Sequence, residues 1–81
     1  MEEIRLPEGI WPRRRDWKGV VASVLVEPGK QVRRGDVVAE VEIEKAVLAV
    51  ESHVDGVVRE VRVRPGDVVG PGDVLALVEA G

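Results

Sequence analysis

Residues 18–42, KGVVASVLVEPGKQVRRGDVVAEVE, align without a gap on residues 55–79, DGVVREVRVRPGDVVGPGDVLALVE, at an offset of 37. Of these 25 positions 14 are identical, among them Gly19/Gly56, Pro28/Pro65, Gly29/Gly66, Gly35/Gly72 and Asp36/Asp73. No other feature limits the possible folds as strongly. Two copies are too few for a stacked solenoid, which needs at least about three. Two similar halves in 81 residues must therefore build one domain, residues 1–81, with a pseudo-twofold.

Each half reads the same way. A strand starts at Gly19 or Gly56, with Val20, Val24 and Val26 on one face of the first and Val57, Val61 and Val63 on one face of the second. Arg59 interrupts the second face and marks an edge or a bulge there. Pro28-Gly29 and Pro65-Gly66 suit the centre of type II turns, where proline presets φ and glycine accepts a positive one. A short extended piece, a second glycine turn and a final strand follow, Val37–Val41 in one half and Val74–Val78 in the other. Short strands with turn signals every eight to twelve residues predict an all-β fold. The expected architecture is a flattened barrel or sandwich of two antiparallel sheets. No stretch keeps a helical period.

A chain this short buries only roughly 60–65% of the surface its unfolded form exposes, so its core is thin. Valine dominates that core, Phe and Tyr are absent, and both tryptophans, Trp11 and Trp17, lie in one N-terminal stretch. There is no cysteine, which excludes disulfides, thiolate metal sites and cysteine nucleophiles. Any redox chemistry has to arrive with an attached group. MEEIRLPEG lacks the apolar core of a signal peptide and no run is long enough to cross a bilayer, so a cytoplasmic, non-membrane protein is expected. The net charge is −3 but unevenly spread: Arg13, Arg14, Arg15 and Lys18 face Asp16 alone, whereas Asp36, Glu40, Glu42, Glu44, Glu51 and Asp55 face Lys45 alone. Three arginines on an acidic domain do not make a nucleic-acid-binding face.

Between residues 39 and 50 an apolar residue stands at every second position, 39, 41 and 43 and then 46, 48 and 50, and the spacing breaks only at Glu44-Lys45. If that pair is a two-residue hairpin loop, Ile43 faces Ala46, Val41 faces Leu48 and Ala39 faces Val50, all apolar and on one side. Glu40, Glu42, Val47 and Ala49 take the other. A slip of one residue would carry charge into the apolar face, so the pattern pins the turn. Glu-Lys is poor chemistry for a hairpin, which prefers Gly, Asn or Asp at these positions. A lysine has been placed at a tip for reasons other than turn propensity. Shifted by 37, Lys45 falls at the chain ends, so the tip should project from the pole opposite the termini.

The run VEIEKAVLAVES, with VDGVV and RPGDVVGPGDVLALVE after it and IRLPEG near the start, resembles the lipoyl domain of 2-oxo acid dehydrogenase acyltransferases. That family usually has Asp-Lys-Ala, so Glu44 departs conservatively, and proline is common where His53 stands. The resemblance implies a barrel-sandwich hybrid that carries rather than catalyses. It implies lipoate joined as an amide to Lys45, with Glu44 and Ala46 as flanking recognition residues. The implied partners are a lipoate ligase or lipoyl transferase, a thiamine-dependent 2-oxo acid decarboxylase, the acyltransferase catalytic domain and lipoamide dehydrogenase. The loop carrying Trp11, Arg13, Arg14, Arg15 and Trp17 is longer and more basic than usual, and its residue types are those of interface hot spots. It is expected to set partner choice.

Two readings compete within this fold. A biotinyl carrier has the same lysine tip but typically flanks it with methionines, and the one Met here is Met1. An unmodified structural domain usually carries a long inserted helical hairpin, absent here. A hydrolase built on Ser52, His53 and Asp55 fails because neighbours on a strand or turn diverge, and a triad needs convergence in space.

Overall fold

The computed structural model describes residues 1–8 and 18–81. Among the described residues eight strands follow in order: β1 (Glu2–Arg5), β2 (Gly19–Val24), β3 (Gln31–Val32), β4 (Val37–Ile43), β5 (Ala46–Glu51), β6 (Gly56–Val61), β7 (Val68–Val69) and β8 (Val74–Ala80). They form two four-stranded antiparallel sheets, β1-β8-β6-β3 and β5-β4-β2-β7. The offset of 37 maps β2 on β6, β3 on β7 and β4 on β8, so each sheet is the pseudo-symmetric image of the other. Each half lends its short strand to the other half's sheet. The halves therefore interlock, and neither can close its core alone.

Backbone hydrogen bonds repeat with the same offset. Gly29 N donates to Val58 O at 2.7 Å and Val58 N to Lys30 O at 2.8 Å; Gly66 N donates to Val21 O at 2.7 Å and Val21 N to Asp67 O at 2.9 Å. The expected type II turns form, with Gly29 and Gly66 both at φ 95° and Lys30 N donating to Glu27 O, Asp67 N to Arg64 O. Three of the glycine turns are also closed by the aspartate that ends them. Arg33 N donates to Asp36 Oδ2 at 2.9 Å, Arg64 N to Asp67 Oδ2 at 2.8 Å and Gly70 N to Asp73 Oδ2 at 2.7 Å.

Valine supplies most of the core between the sheets among the described residues, with Ile4, Leu6 and Leu75 as its largest members. Each such side chain, fully buried, contributes about 1.5–3 kcal/mol against the unfolded chain. Strict alternation misplaces part of it. Val20 is exposed and Val21 buried, and likewise Val58 rather than Val57 is the fully buried member of its pair. The cause is a bulge in each half: the register advances from Val21↔Val41 to Ser23↔Glu40, and from Val58↔Val78 to Glu60↔Leu77. Ala22 and Arg59 are the extra residues, and each reverses the phase of its strand. Val24, Val26, Val61 and Val63 lie inward as expected. A second register shift between Val37 and Ala39 buries both Val38 and Ala39. β4 and β8 also run two residues past their expected ends.

Candidate functional site

Glu44 and Lys45 form the two-residue connection between β4 and β5, and the pairs Ile43↔Ala46, Val41↔Leu48 and Ala39↔Val50 hold in the structure. Ala39, Val41 and Val50 are buried, Ile43 and Leu48 are half-buried against the core, and Ala46 is exposed. The expected inward position of Ala46 is thus corrected. Ala46 belongs to the last pair before the turn, where its partner Ile43 still packs against the core but the short alanine side chain stays exposed. The hairpin's pseudo-symmetric counterpart is the place where β1 and β8 bring the two chain ends together, with Glu2 opposite Val78.

Glu44 has φ 55°, the one non-glycine residue with a positive φ among the described residues. A left-handed conformation costs an L-residue about 1–2 kcal/mol. Glutamate has neither the absent Cβ of glycine nor the short side chain of asparagine to ease it. The first residue of a two-residue hairpin loop must nevertheless turn this way for the strands to keep their twist. Lys45 follows, exposed, and among the described residues no carboxylate lies within ion-pair distance of its amine.

Other candidates resolve into structural roles. Ser52 is buried, donates its hydroxyl to Val54 O at 2.6 Å and accepts from Val54 N at 3.3 Å, so it closes a turn. His53 lies on the surface with Nε2 3.7 Å from Glu2 Oε1. Asp55 Oδ1 accepts from Arg34 N at 2.7 Å. The three point to three different partners, and no hydrolytic constellation forms. Trp11, Arg13, Arg14, Arg15 and Trp17 lie outside the described residues.

The family described as biotin-requiring enzyme, the biotin/lipoyl attachment family, matches residues 15–78. The chain belongs to that family. The solution structure of the lipoyl domain of the 2-oxoglutarate dehydrogenase complex from Azotobacter vinelandii superposes on it with a TM-score of 0.72 and 30% identity, covering 96% of this chain and 99% of that one. No curated protein matches the chain in sequence. The residues matched by the family include the β4–β5 hairpin.

One surface escaped the sequence reading. Val47, Glu42, Val20 and Val68 form a single cross-strand row through the ladder pairs Glu42↔Val47, Val20↔Glu42 and Val20↔Val68. The three valines are 59%, 42% and 63% exposed, so the row is the solvent face of its sheet. Its signal was present as the unpaired phase of the strands, but the bulge at Ala22 hid Val20 from alternation.

Proposed function

We propose that the protein is a lipoyl carrier domain of a 2-oxo acid dehydrogenase complex, with Lys45 as the single attachment site. The observation that carries this reading is the position of Lys45, exposed, without an ion-pair partner among the described residues, at the tip of a hairpin whose register the core enforces. Amide formation removes the amine's charge, and among the described residues no ion pair depends on that charge. A lipoyl group held on Lys45 would supply a redox-active disulfide able to accept an acyl group together with a pair of electrons.

The chain's own residues do the positioning. Ile43 and Leu48 anchor the hairpin in the core, Glu44 turns the backbone, and Ala46 leaves the neighbourhood of the lysine uncrowded. A flexible appendage tethered at the hairpin tip supplies high effective concentration at each active site within reach. The protein needs no catalytic group of its own, since the chemistry belongs to the appendage and to the enzymes it visits.

Lipoyl rather than biotinyl is favoured by Glu44 and Ala46 beside the lysine and by the likeness to a lipoyl domain over nearly the whole chain. Incubation with ATP and an equimolar mixture of lipoate and biotin, in the presence of both a lipoate ligase and a biotin ligase, separates the two. The expected product carries one lipoyl group and no biotin, and Lys45→Arg carries neither. Biotin uptake by the wild type, or modification of the Lys45→Arg variant, would overturn the assignment.

A further inference from the structure

The two sheets are images of one another in backbone but not in charge. In the sheet β1-β8-β6-β3 the acids have cations. Arg59 donates to Glu79 Oε2 through Nε at 3.1 Å and Nη2 at 2.6 Å, and Arg5 pairs with Glu3 at 2.6 Å. The sheet β5-β4-β2-β7 carries Glu40, Glu42 and Glu51 and has no lysine or arginine on any of its four strands. The offset shows what is missing. Glu42 is the counterpart of Glu79, and Ala22 is the counterpart of Arg59 at the same bulge. One half closes its carboxylate with its own arginine, and the other leaves an exposed alanine where that arginine would stand.

The surroundings differ in the same sense. Val20 is exposed where its counterpart Val57 is half-buried, and Val68 replaces Gln31. The result is a carboxylate set in a row of three exposed valines, one ladder step from the Glu44-Lys45 tip. We propose that this face is a docking surface for the enzyme that acylates the group carried on Lys45, through a partner arginine that takes the place of Arg59 between apolar side chains. The inference rests on the carrier reading above. An appendage of fixed chemistry is the same in every complex, so an acylating enzyme that must choose its own carrier can read only the protein beside the arm. An acidic centre within an apolar row asks for an arginine, whose flat, weakly hydrated guanidinium binds carboxylate while its stem covers valine. The second half of this molecule already shows that pairing in place.

The test uses Ala22→Arg, which rebuilds in the first half the pair present in the second and so occupies Glu42 from within. Wild type and variant are lipoylated and offered to the host's thiamine-dependent 2-oxo acid decarboxylase, and reductive acylation is followed at increasing carrier concentration. The expected result is a KM about tenfold higher for Ala22→Arg with kcat unchanged. Arg59→Ala, which opens the equivalent carboxylate on the opposite sheet, should leave both constants as they are. Should Ala22→Arg fail to fold by circular dichroism, Glu42→Gln carries the same expectation. An unchanged KM, an equal rise in Arg59→Ala, or a wild-type dimer that Ala22→Arg dissolves would each overturn the docking face while leaving the carrier reading intact. A wild type that accepts no lipoyl group, or no acyl group once lipoylated, overturns both.

Discussion

Gly56 and Gly19 are pseudo-symmetric, yet replacing them with alanine should differ in cost, and the structure says which is worse. A Cβ at Gly56 would lie 2.2 Å from the backbone oxygen of Glu79 and 2.8 Å from Val78 Cγ1. At Gly19 the nearest atom is Val41 Cγ1 at 2.6 Å, with the Glu42 oxygen at 3.0 Å. Ordinary contact begins near 3.4 Å, so Gly56→Ala must push a paired strand by more than an ångström. Gly19→Ala must chiefly displace one methyl group. Overpacking of a well-filled interior costs typically about 1–3 kcal/mol and occasionally more. On that scale Gly56→Ala should lose about 3 kcal/mol or more, because backbone cannot rotate away, and Gly19→Ala about 1–2 kcal/mol. For a domain of this size each kcal/mol moves the thermal midpoint by about 4–8 °C. Urea and thermal unfolding followed by far-ultraviolet circular dichroism would measure both. If Gly56→Ala is as stable as wild type, or costs less than Gly19→Ala, then the close approach of β6 to β8 does not require glycine and the packing argument fails.

Asp36→Ala and Asp73→Ala should each cost about 1 kcal/mol in urea unfolding, because each orphans a turn N–H that its carboxylate now accepts. Glu44→Gly should raise stability by up to about 1 kcal/mol by relieving the left-handed backbone, whereas Glu44→Val should lower it, since a β-branched residue fits that region worst. The Arg59 guanidinium bonded to Glu79 holds that carboxyl below its ordinary value of 4.5. A depressed carboxylate stabilises the fold fully above its unfolded value and loses that contribution as pH falls through its folded one. The difference in thermal midpoint between wild type and Arg59→Ala should therefore be largest near neutrality and vanish in strong acid; a difference that grows on acidification would contradict the pair's role.

The register of the β4–β5 hairpin was legible because three apolar pairs on one face leave a single alignment and Glu44-Lys45 is all that remains for the loop, whereas the exposure of Ala46 was not. The type II turns were legible because proline and glycine each answer a specific dihedral demand. Alternation failed at Val20 and Val57 because a bulge adds one residue without any composition of its own. Arg59 betrayed its bulge by standing in an apolar series, while Ala22, small and neutral at the same place, gave no sign. β1 could not be read from pattern at all: EEIR has one apolar residue, and Ile4 is buried only because β8 supplies the neighbouring strand. The exposed row beside the tip depends on cross-strand register, which no single strand contains. The tip itself was readable for the opposite reason, since Glu44-Lys45 breaks the local preference for Gly, Asn or Asp in a hairpin loop.

Peptide-level mass spectrometry of the protein purified from its native host tests the account most directly. Digestion at arginine leaves the tip within one fragment, because no arginine lies between Arg34 and Arg59. The carrier reading predicts that this fragment bears one lipoyl group, that fragmentation places it on Lys45, and that Lys18 and Lys30 are unmodified. A fragment bearing biotin, a lipoyl group on another lysine, or an unmodified Lys45 in cells whose 2-oxo acid dehydrogenase complexes are active would contradict it.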